Sequence, residues 1–268
     1  MKIRILSGVV MALLVAAVLV LGFLVNSWFI SIFLALICAG AAWELLSAFG
    51  IRNQVARIGA CFFSFLGILL PWGGNINPSP LGVLSVLYVL FAVCMILARH
   101  QDFSLAGIAA FTALPLLYCY AFRCLGAVIQ HKNGIFFLLL LLNFASVCDM
   151  GAYFVGSAFG RHKLCPAISP KKTVEGAMGG IVLSLAVSLI LCLCFGAANR
   201  WIAWLILTIP FCIIGMMGDL FASSIKRACG IKDYGNLIPG HGGILDRVDS
   251  ILLIAPVFYL VISAGVLL

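Results

Sequence analysis

Charged residues are scarce in this sequence. Only 16 Lys or Arg and 8 Asp or Glu occur among its 268 residues, while 65% are hydrophobic. Because soluble domains typically carry about a quarter of their residues as charged side chains, the composition excludes an ordinary soluble globular domain. With so few acids, the position of each one is informative.

Paired cysteine motifs are also lacking. The 11 cysteines include no Cys-x-x-Cys pair, the pattern of many zinc and redox sites. Most of them lie inside apolar runs, where a free Cys behaves as a small buried hydrophobe. We therefore predict free thiols. No internal repeat or additional soluble domain is visible either.

Long apolar segments take up most of the chain. Each can cross a hydrocarbon core about 30 Å thick, so the predicted fold class is all-α: a polytopic integral membrane protein with about nine transmembrane helices. The first segment exceeds the apolar length of a signal peptide and is predicted to be an uncleaved span. The predicted spans are 5–25, 28–48, 58–72, 81–98, 104–121, 134–149, 176–196, 201–221 and 250–267.

The basic residues predict an orientation. With a cytoplasmic N-terminus, 13 of the 16 Lys and Arg fall on the cytoplasmic side, as the positive-inside rule requires. Polar loops 150–175 and 222–249 then face the cytoplasm, and we expect a bacterial inner (plasma) membrane. The net charge of +8 fits this orientation and attraction to anionic lipid headgroups, so no nucleic-acid partner is predicted.

The chemistry-bearing residues are concentrated in the second half. We predict a scaffold of spans over residues 1–133 and a catalytic region over residues 134–268. Glu44 is the acid of the first five spans. It is interpreted as an interfacial acid near Arg52, with a functional role as the alternative.

Four acids lie at predicted cytoplasmic span ends, where they can converge on one divalent cation. An acid at membrane depth is costly and usually faces a partner or a wet cavity. All-carboxylate sets favour Mg²⁺, with Mn²⁺ as the alternative. Gly215 and Gly218 lie just before Asp219. They would allow another helix to approach closely at this acid, or would leave room for a ligand. The four candidate metal ligands are Asp149, Asp219, Asp246 and Asp249.

The two polar loops also carry candidate phosphate-binding residues. Basic residues alone could be orientation signals, but their combination with hydroxyls, glycines and acids favours a phosphate-plus-metal site. His241 is assigned to substrate binding or loop organisation, because an ionised phosphate nucleophile needs no base. The candidates are Ser169, Lys171, Lys172, Lys226, Arg227 and His241.

Residues 223–249, SSIKRACGIKDYGNLIPGHGGILDRVD, closely resemble the signature of phosphatidate cytidylyltransferases, or CDP-diacylglycerol synthases. A second block also resembles the family: it begins with Asp149-x-Gly151-Ala152-Tyr153-Phe154 and ends with Ser169-Pro170-Lys171-Lys172-Thr173-x-Glu175-Gly176. Met150 departs from the family pattern, in which a small hydroxyl residue is expected after the Asp, so any phosphate contact that this hydroxyl makes in relatives is absent here.

The resemblance implies that CTP and phosphatidic acid give CDP-diacylglycerol and pyrophosphate in phospholipid biosynthesis. It assigns Asp219 and Asp246 first as metal ligands, with Asp149 and Asp249 as weaker candidates. Lys171, Lys172, Lys226 and Arg227 would hold phosphates, and Arg247 would neutralise charge. Ser223 and Ser224 would supply hydroxyl contacts. Lys226 and Arg227 join Asp219 and Asp246 as catalytic residues. The implied partners are CTP, phosphatidic acid and the bilayer; a homo-oligomer is compatible with the sequence, although no interface is indicated.

Two other functions remain open. A related enzyme could use another lipid phosphate, such as an isoprenoid ether lipid. An ion-coupled secondary transporter would place acids near the bilayer midplane and show broken spans and a pseudo-repeat. The acids at span ends and the lack of a repeat favour the enzyme.

Overall fold

The computed structural model describes residues 2–70, 80–195, 200–238, 240 and 242–265. In these ranges the chain is mainly helical, as predicted. The helices are α1 (Lys2–Leu24), α2 (Trp28–Ala48), α3 (Gln54–Leu69), α4 (Pro80–Ala98), α5 (Leu105–Ile129), α6 (Gly134–Leu142), α7 (Cys148–Phe159), α8 (Val174–Cys194), α9 (Trp201–Ala228) and α10 (Leu245–Ser263), with a π-helical segment at Asn143–Val147 and a 3₁₀ turn at His100–Asp102.

The membrane fold class is confirmed. Each predicted span overlaps one of these helices, and in the described ranges seven helical stretches are long and apolar enough to cross a membrane. The α3 helix is shorter, with 16 residues. The α10 helix carries Asp246, Arg247 and Asp249 near its start, so its first turn is polar.

The boundaries predicted for both polar loops are wrong. The sixth span does not end at residue 149, because the π-helical segment leads directly into α7. The α9 helix continues to Ala228 and α10 begins at Leu245, which leaves residues 229–244 as the second loop. Lys226 and Arg227 lie in the last turn of α9, where positive charge is favourable for the helix dipole.

A short hairpin interrupts the helices between α7 and α8. Strands β1 (Lys163–Cys165) and β2 (Ser169–Thr173) are antiparallel. Lys163 pairs with Thr173 and Cys165 with Ser169, with an irregularity between them. The predicted all-α fold does not include this hairpin, which carries all three lysines of the first predicted loop: Lys163, Lys171 and Lys172.

The first compact unit contains Met1–Gly126 and Cys229–Arg247. Its core includes stacked rings of Phe63 and Tyr88, whose centroids are 4.3 Å apart. The loop before α10 therefore belongs to the unit built by the N-terminal helices. The division predicted from the sequence, at residues 133 and 134, stays a prediction.

The second compact unit contains Ala127–Ala228 and Val248–Leu268. Phe144 and Phe211 stack with centroids 5.2 Å apart, and Phe258 packs edge-on against both. This aromatic core joins the π-helical segment to α9 and α10. All 11 cysteines of the chain have free thiols in the structure.

Candidate active site

Close packing of α7 on α8 places Asp149 beside the start of α8. A Cβ at Gly180 would overlap the carbonyl oxygen of Cys148, and one at Gly176 would lie 2.6 Å from the carbonyl oxygen of Ala152. Small residues four apart allow helix backbones in membranes to approach closely. Gly176 and Gly180 therefore allow the backbones of α7 and α8 to come into contact.

Glu175 anchors the hairpin to the first turn of α8. Its carboxylate accepts hydrogen bonds from the backbone N–H groups of Arg161 and His162 at 3.1 and 3.2 Å, and it lies 2.5 Å from Nδ1 of His162. The Thr173 hydroxyl caps α8 by accepting from the Gly176 N–H. These contacts fix strand β2, and with it Lys171 and Lys172.

A cavity of about 180 Å³ lies where α7, the hairpin, α8 and α9 meet in the second unit. It combines two acids and two lysines with a mainly apolar remainder. Its lining residues are Asp149, Ala152, Tyr153, Leu164, Lys171, Lys172, Thr173, Ala177, Met216 and Asp219. Four residues predicted from the sequence, Asp149, Asp219, Lys171 and Lys172, thus come together.

The cavity contains a close ion pair. Nζ of Lys172 lies 2.5 Å from Oδ2 of Asp219, and the two side chains are 23% and 25% exposed. The charges of both groups act on the Asp149 carboxyl group. Lys171 is exposed and lines the cavity from its solvent-facing side. The site therefore brings negative and positive charge together in a partly dehydrated space.

The donor set fits Mg²⁺ only in part. Mg²⁺ is commonly held by one or two carboxylates together with substrate phosphates, and Asp149 and Asp219 supply two carboxylates. In the described part of the chain, no group of three or more His, Cys, Asp or Glu side chains is arranged to hold a metal ion. Substrate oxygens would have to complete the coordination.

Asp249 lies near Asp219 without lining the cavity. A Cβ at Gly218 would be 3.0 Å from the carbonyl oxygen of Asp249 and 3.2 Å from the Cα of Ser250, so α9 and α10 are in close contact there. This confirms the close approach predicted for Gly218. Oδ1 of Asp249 accepts from the N–H of Ser250 at 2.8 Å.

The polar residues predicted near the end of α9 differ in helix face and in exposure. Ser223 and Lys226 follow Asp219 by four and seven positions, which places all three on one helix face. Lys226 is 8% exposed, whereas Arg227 is exposed. Ser224 is half-buried and lies off this face. The roles of all four residues remain predictions.

Asp246 and Arg247 belong to the first unit. Oδ2 of Asp246 accepts from the backbone N–H groups of Tyr234 and Gly243, both at 3.0 Å. Arg247 is exposed. His241 lies outside the described residues. Asp246 therefore organises the loop before α10, and its predicted role as a metal ligand stays a prediction.

Sequence reasoning missed what Glu44 contacts. The side chain is not an interfacial acid paired with Arg52: Glu44 is 3% exposed and accepts from the N–H groups of Ile244 and Leu245, each at 3.0 Å. Arg52 is exposed. An acid inside an apolar span is a signal for a buried partner, but nothing in the sequence identifies backbone groups 200 residues away as that partner.

Tyr153, Met216 and Ala177 also line the cavity and were not assigned to it. Tyr153 follows Asp149 by four positions and Met216 precedes Asp219 by three, so helical spacing alone places each on the face of a predicted acid. Met150 is half-exposed, at 52%, and does not line the cavity. Helical periodicity would therefore have found part of the apolar lining.

Known proteins are similar to this chain over nearly its whole length. The sequence matches the cytidylyltransferase family over residues 2–264. It is similar to the phosphatidate cytidylyltransferase of Staphylococcus haemolyticus (34% identity, covering 96% of each chain) and to that of Bacillus subtilis (34%, 98% of each). The protein of that name from Staphylococcus aureus strain COL is 32% identical, over 96% of each chain. These near full-length matches show that this chain belongs to the cytidylyltransferase family.

Proposed function

We propose that this protein transfers the cytidylyl group of CTP to phosphatidic acid, giving CDP-diacylglycerol and pyrophosphate in phospholipid biosynthesis. The observation that carries the proposal is a cavity in which Asp149 and Asp219 face Lys171 and Lys172 beside long apolar helices. Three relatives named phosphatidate cytidylyltransferase, alike over nearly their whole length, support the same reaction.

The reaction is a displacement at phosphorus. A phosphate oxygen of phosphatidic acid forms a bond to the α-phosphorus of CTP, and the bond from that phosphorus to the oxygen shared with the β-phosphorus breaks. Because the lipid phosphate is already ionised near neutral pH, the chain needs no base to activate it. Catalysis then depends on positioning and charge neutralisation, which Lys171 and Lys172 supply by holding phosphate oxygens.

The size of the cavity limits what enters it. At about 180 Å³ it is smaller than the roughly 300–1,000 Å³ pockets that enclose drug-sized ligands. We infer that only the reacting phosphates occupy it, while the acyl chains stay among apolar side chains. Tyr153 and Phe154, 70% and 65% exposed, lie on α7 beside the cavity and suit such a lipid-facing surface.

Mg²⁺ is the proposed cofactor, with Mn²⁺ as the alternative, and Asp149 and Asp219 would hold it. When bound, a divalent ion neutralises charge on the attacking and leaving oxygens. The ammonium group of Lys172 beside Asp219 supports this choice, because it marks a position where positive charge is stabilised. Asp246 and Asp249 are proposed from the family resemblance as further contributors.

The other predicted polar residues would bind phosphate. Ser223 and Lys226 share the helix face of Asp219, so they are the stronger candidates among the residues of α9. Ser169 begins strand β2, next to the two lysines. Arg227 and Arg247 are exposed and are proposed to attract the anionic substrates.

The proposed location is the bacterial inner membrane, with the site facing the cytoplasm. The excess of Lys and Arg in the segments assigned to that side supports this orientation, and CTP is a soluble cytoplasmic nucleotide. Phosphatidic acid would reach the cavity from the bilayer while CTP enters from water. No oligomeric state is proposed.

The reaction is tested with purified protein in detergent, Mg²⁺, labelled CTP and a panel of lipid phosphates. We expect CDP-diacylglycerol with phosphatidic acid and no lipid product without it. A product formed only with an isoprenoid ether lipid phosphate would instead favour that substrate. No CTP-dependent product with any lipid phosphate would refute the proposed function.

Two variants connect this activity to the proposed acids. Asp219→Asn and Asp246→Asn should abolish turnover while the protein remains folded. Asp102→Asn is the matched control, because Asp102 is exposed in the 3₁₀ turn between α4 and α5. A near-wild-type rate in Asp219→Asn or Asp246→Asn would remove that acid from the proposed metal site.

A further inference from the structure

Glu44 ties α2 to the start of α10 within the first compact unit. Oε1 accepts from the N–H of Ile244 and Oε2 from the N–H of Leu245, both at 3.0 Å. The first N–H groups of a helix have no acceptor within that helix, and negative charge is favourable beside them. The buried carboxylate therefore satisfies two backbone donors at the end of the loop that carries the family signature.

Two glycines of that loop let the backbone approach the carboxylate. A Cβ at Gly235 would lie 2.5 Å from Oε1 of Glu44, and a Cβ at Gly243 would overlap Oε2. Any larger residue at either position would push the carboxylate aside. A side chain from the second span thus explains why glycine stands at these two positions of the polar loop.

Asp246 holds the same loop from the first turn of α10. Its Oδ2 accepts from the N–H groups of Tyr234 and Gly243 at 3.0 Å. Gly243 therefore contacts both acids. Its N–H donates to Asp246, and its Cα lies against the carboxylate of Glu44. A change in the position of Gly243 alters the hydrogen bond that orients Asp246.

We propose that Glu44 is a positioning residue for cytidylyl transfer, which holds the backbone of Gly243, Ile244 and Leu245 and thereby orients Asp246. Its effect on catalysis rests on the proposed function, since Asp246 matters only if it takes part in that reaction. Without Glu44 the N–H groups of Ile244 and Leu245 lose their acceptors. The turn that presents Gly243 to Asp246 then loses its anchor.

Glu44→Gln tests the role with little change in side-chain size. The amide retains one acceptor oxygen but places an NH₂ group against the second backbone donor. We expect kcat/KM to fall roughly 10- to 100-fold, the range for partners that orient a catalytic or metal-binding group. The loss should be in kcat, with KM for CTP and for phosphatidic acid within about threefold of wild type.

The control for removing an acid is again Asp102→Asn, which should retain the wild-type kcat. A wild-type kcat in Glu44→Gln would overturn the proposal. So would a change confined to KM, because that result would place Glu44 in substrate binding instead of in the orientation of Asp246.

A double-mutant cycle tests whether Gly243 acts through Glu44. Gly243→Ala should lower kcat in the wild-type background. It should lower kcat less in the Glu44→Ala background, because removing the carboxylate makes room for the methyl group. Gly107→Ala is the matched glycine control, since its Cβ would be no closer than 3.2 Å to any neighbour. Fully additive effects of Gly243→Ala and Glu44→Ala would contradict the contact.

Hydrogen exchange separates this inference from the proposed function. In Glu44→Gln, the amides of residues 243–246 should exchange faster than in wild type, while those of α3 and α4 keep their protection. If wild-type protein makes no lipid product, the proposed function fails, yet the exchange result still decides the role of Glu44 in holding the loop. Unchanged exchange at residues 243–246 would overturn that role. If Glu44→Gln does not fold, exchange is measured in Gly243→Ala, whose methyl group would push the Glu44 carboxylate aside. The amides of residues 244–246 should then exchange faster than in wild type, and unchanged exchange there would overturn the role.

Discussion

Replacing Lys172 with methionine removes the positive charge beside Asp219 while it keeps much of the side-chain volume. In the wild-type cavity, Nζ of Lys172 is 2.5 Å from Oδ2 of Asp219 and both side chains are about one-quarter exposed. The substitution leaves Asp149 and Asp219 facing each other without this cation. It also removes one of the two lysines proposed to hold phosphate.

The expected magnitude follows from the partial burial of the pair. Exposed ion pairs typically contribute about 0–1 kcal/mol, whereas breaking a fully buried pair costs about 3–5 kcal/mol, so a pair that is about one-quarter exposed is expected to contribute roughly 1.5–3 kcal/mol. One tenfold change in rate corresponds to about 1.4 kcal/mol, so losing this contact in the transition state lowers kcat/KM by roughly 10- to 150-fold. Full burial would predict a larger loss, and a fully exposed pair would predict almost none.

The assay is steady-state turnover of labelled CTP at fixed phosphatidic acid in detergent. Lys163→Met is the matched control, because Lys163 is an exposed lysine on the partner strand of the same hairpin. A kcat/KM for Lys172→Met within about threefold of the Lys163→Met control, less than 1 kcal/mol, would refute a role for Lys172 in the reaction.

Three other predictions concern the cofactor, the packing and the orientation. Chelating divalent ions should abolish turnover and added Mg²⁺ should restore it; activity that survives chelation would argue against a metal. Gly180→Ala should lower the free energy of unfolding by about 1–3 kcal/mol through overpacking against Cys148, whereas Gly107→Ala should change it little; equal stability of the two variants would contradict the close α7–α8 contact. A C-terminal phosphatase fusion should be active outside the cytoplasm, and a reporter active only in the cytoplasm would contradict the nine-span orientation.

The sequence predicted the helices well because long apolar runs have few stable alternatives in a membrane. Four residues that were predicted as site candidates, Asp149, Lys171, Lys172 and Asp219, do line the same cavity. Their residue types carried this prediction, since acids and bases are rare in the chain and occur beside hydroxyls and glycines. The family resemblance then gave these residues a common chemistry.

Helix continuity was harder to predict. Residues 150–159 follow a charged residue and contain two glycines, which favours a loop by composition. The structure continues the helix because Gly151 and Gly156 pack against the backbone of α8. Such tertiary contacts outweigh the low helix propensity of glycine, and they cannot be recognised from local sequence.

Glu44 shows a different limit. Its position in an apolar span correctly marked it as unusual, but an isolated acid does not reveal its donors. Those donors are backbone N–H groups of Ile244 and Leu245, which have no side-chain signature. The paired glycines at 235 and 243 are the nearest signal, and they become informative only once the carboxylate is placed against them.

The fate of the α-phosphorus of CTP tests cytidylyl transfer most directly. With phosphatidic acid and Mg²⁺, we predict that label in the α-phosphate enters the lipid product while label in the γ-phosphate appears in pyrophosphate, in equal amounts. Asp219→Asn should lose both signals, and Asp102→Asn should retain both. Release of inorganic phosphate from the γ-position without α-label in lipid would contradict cytidylyl transfer.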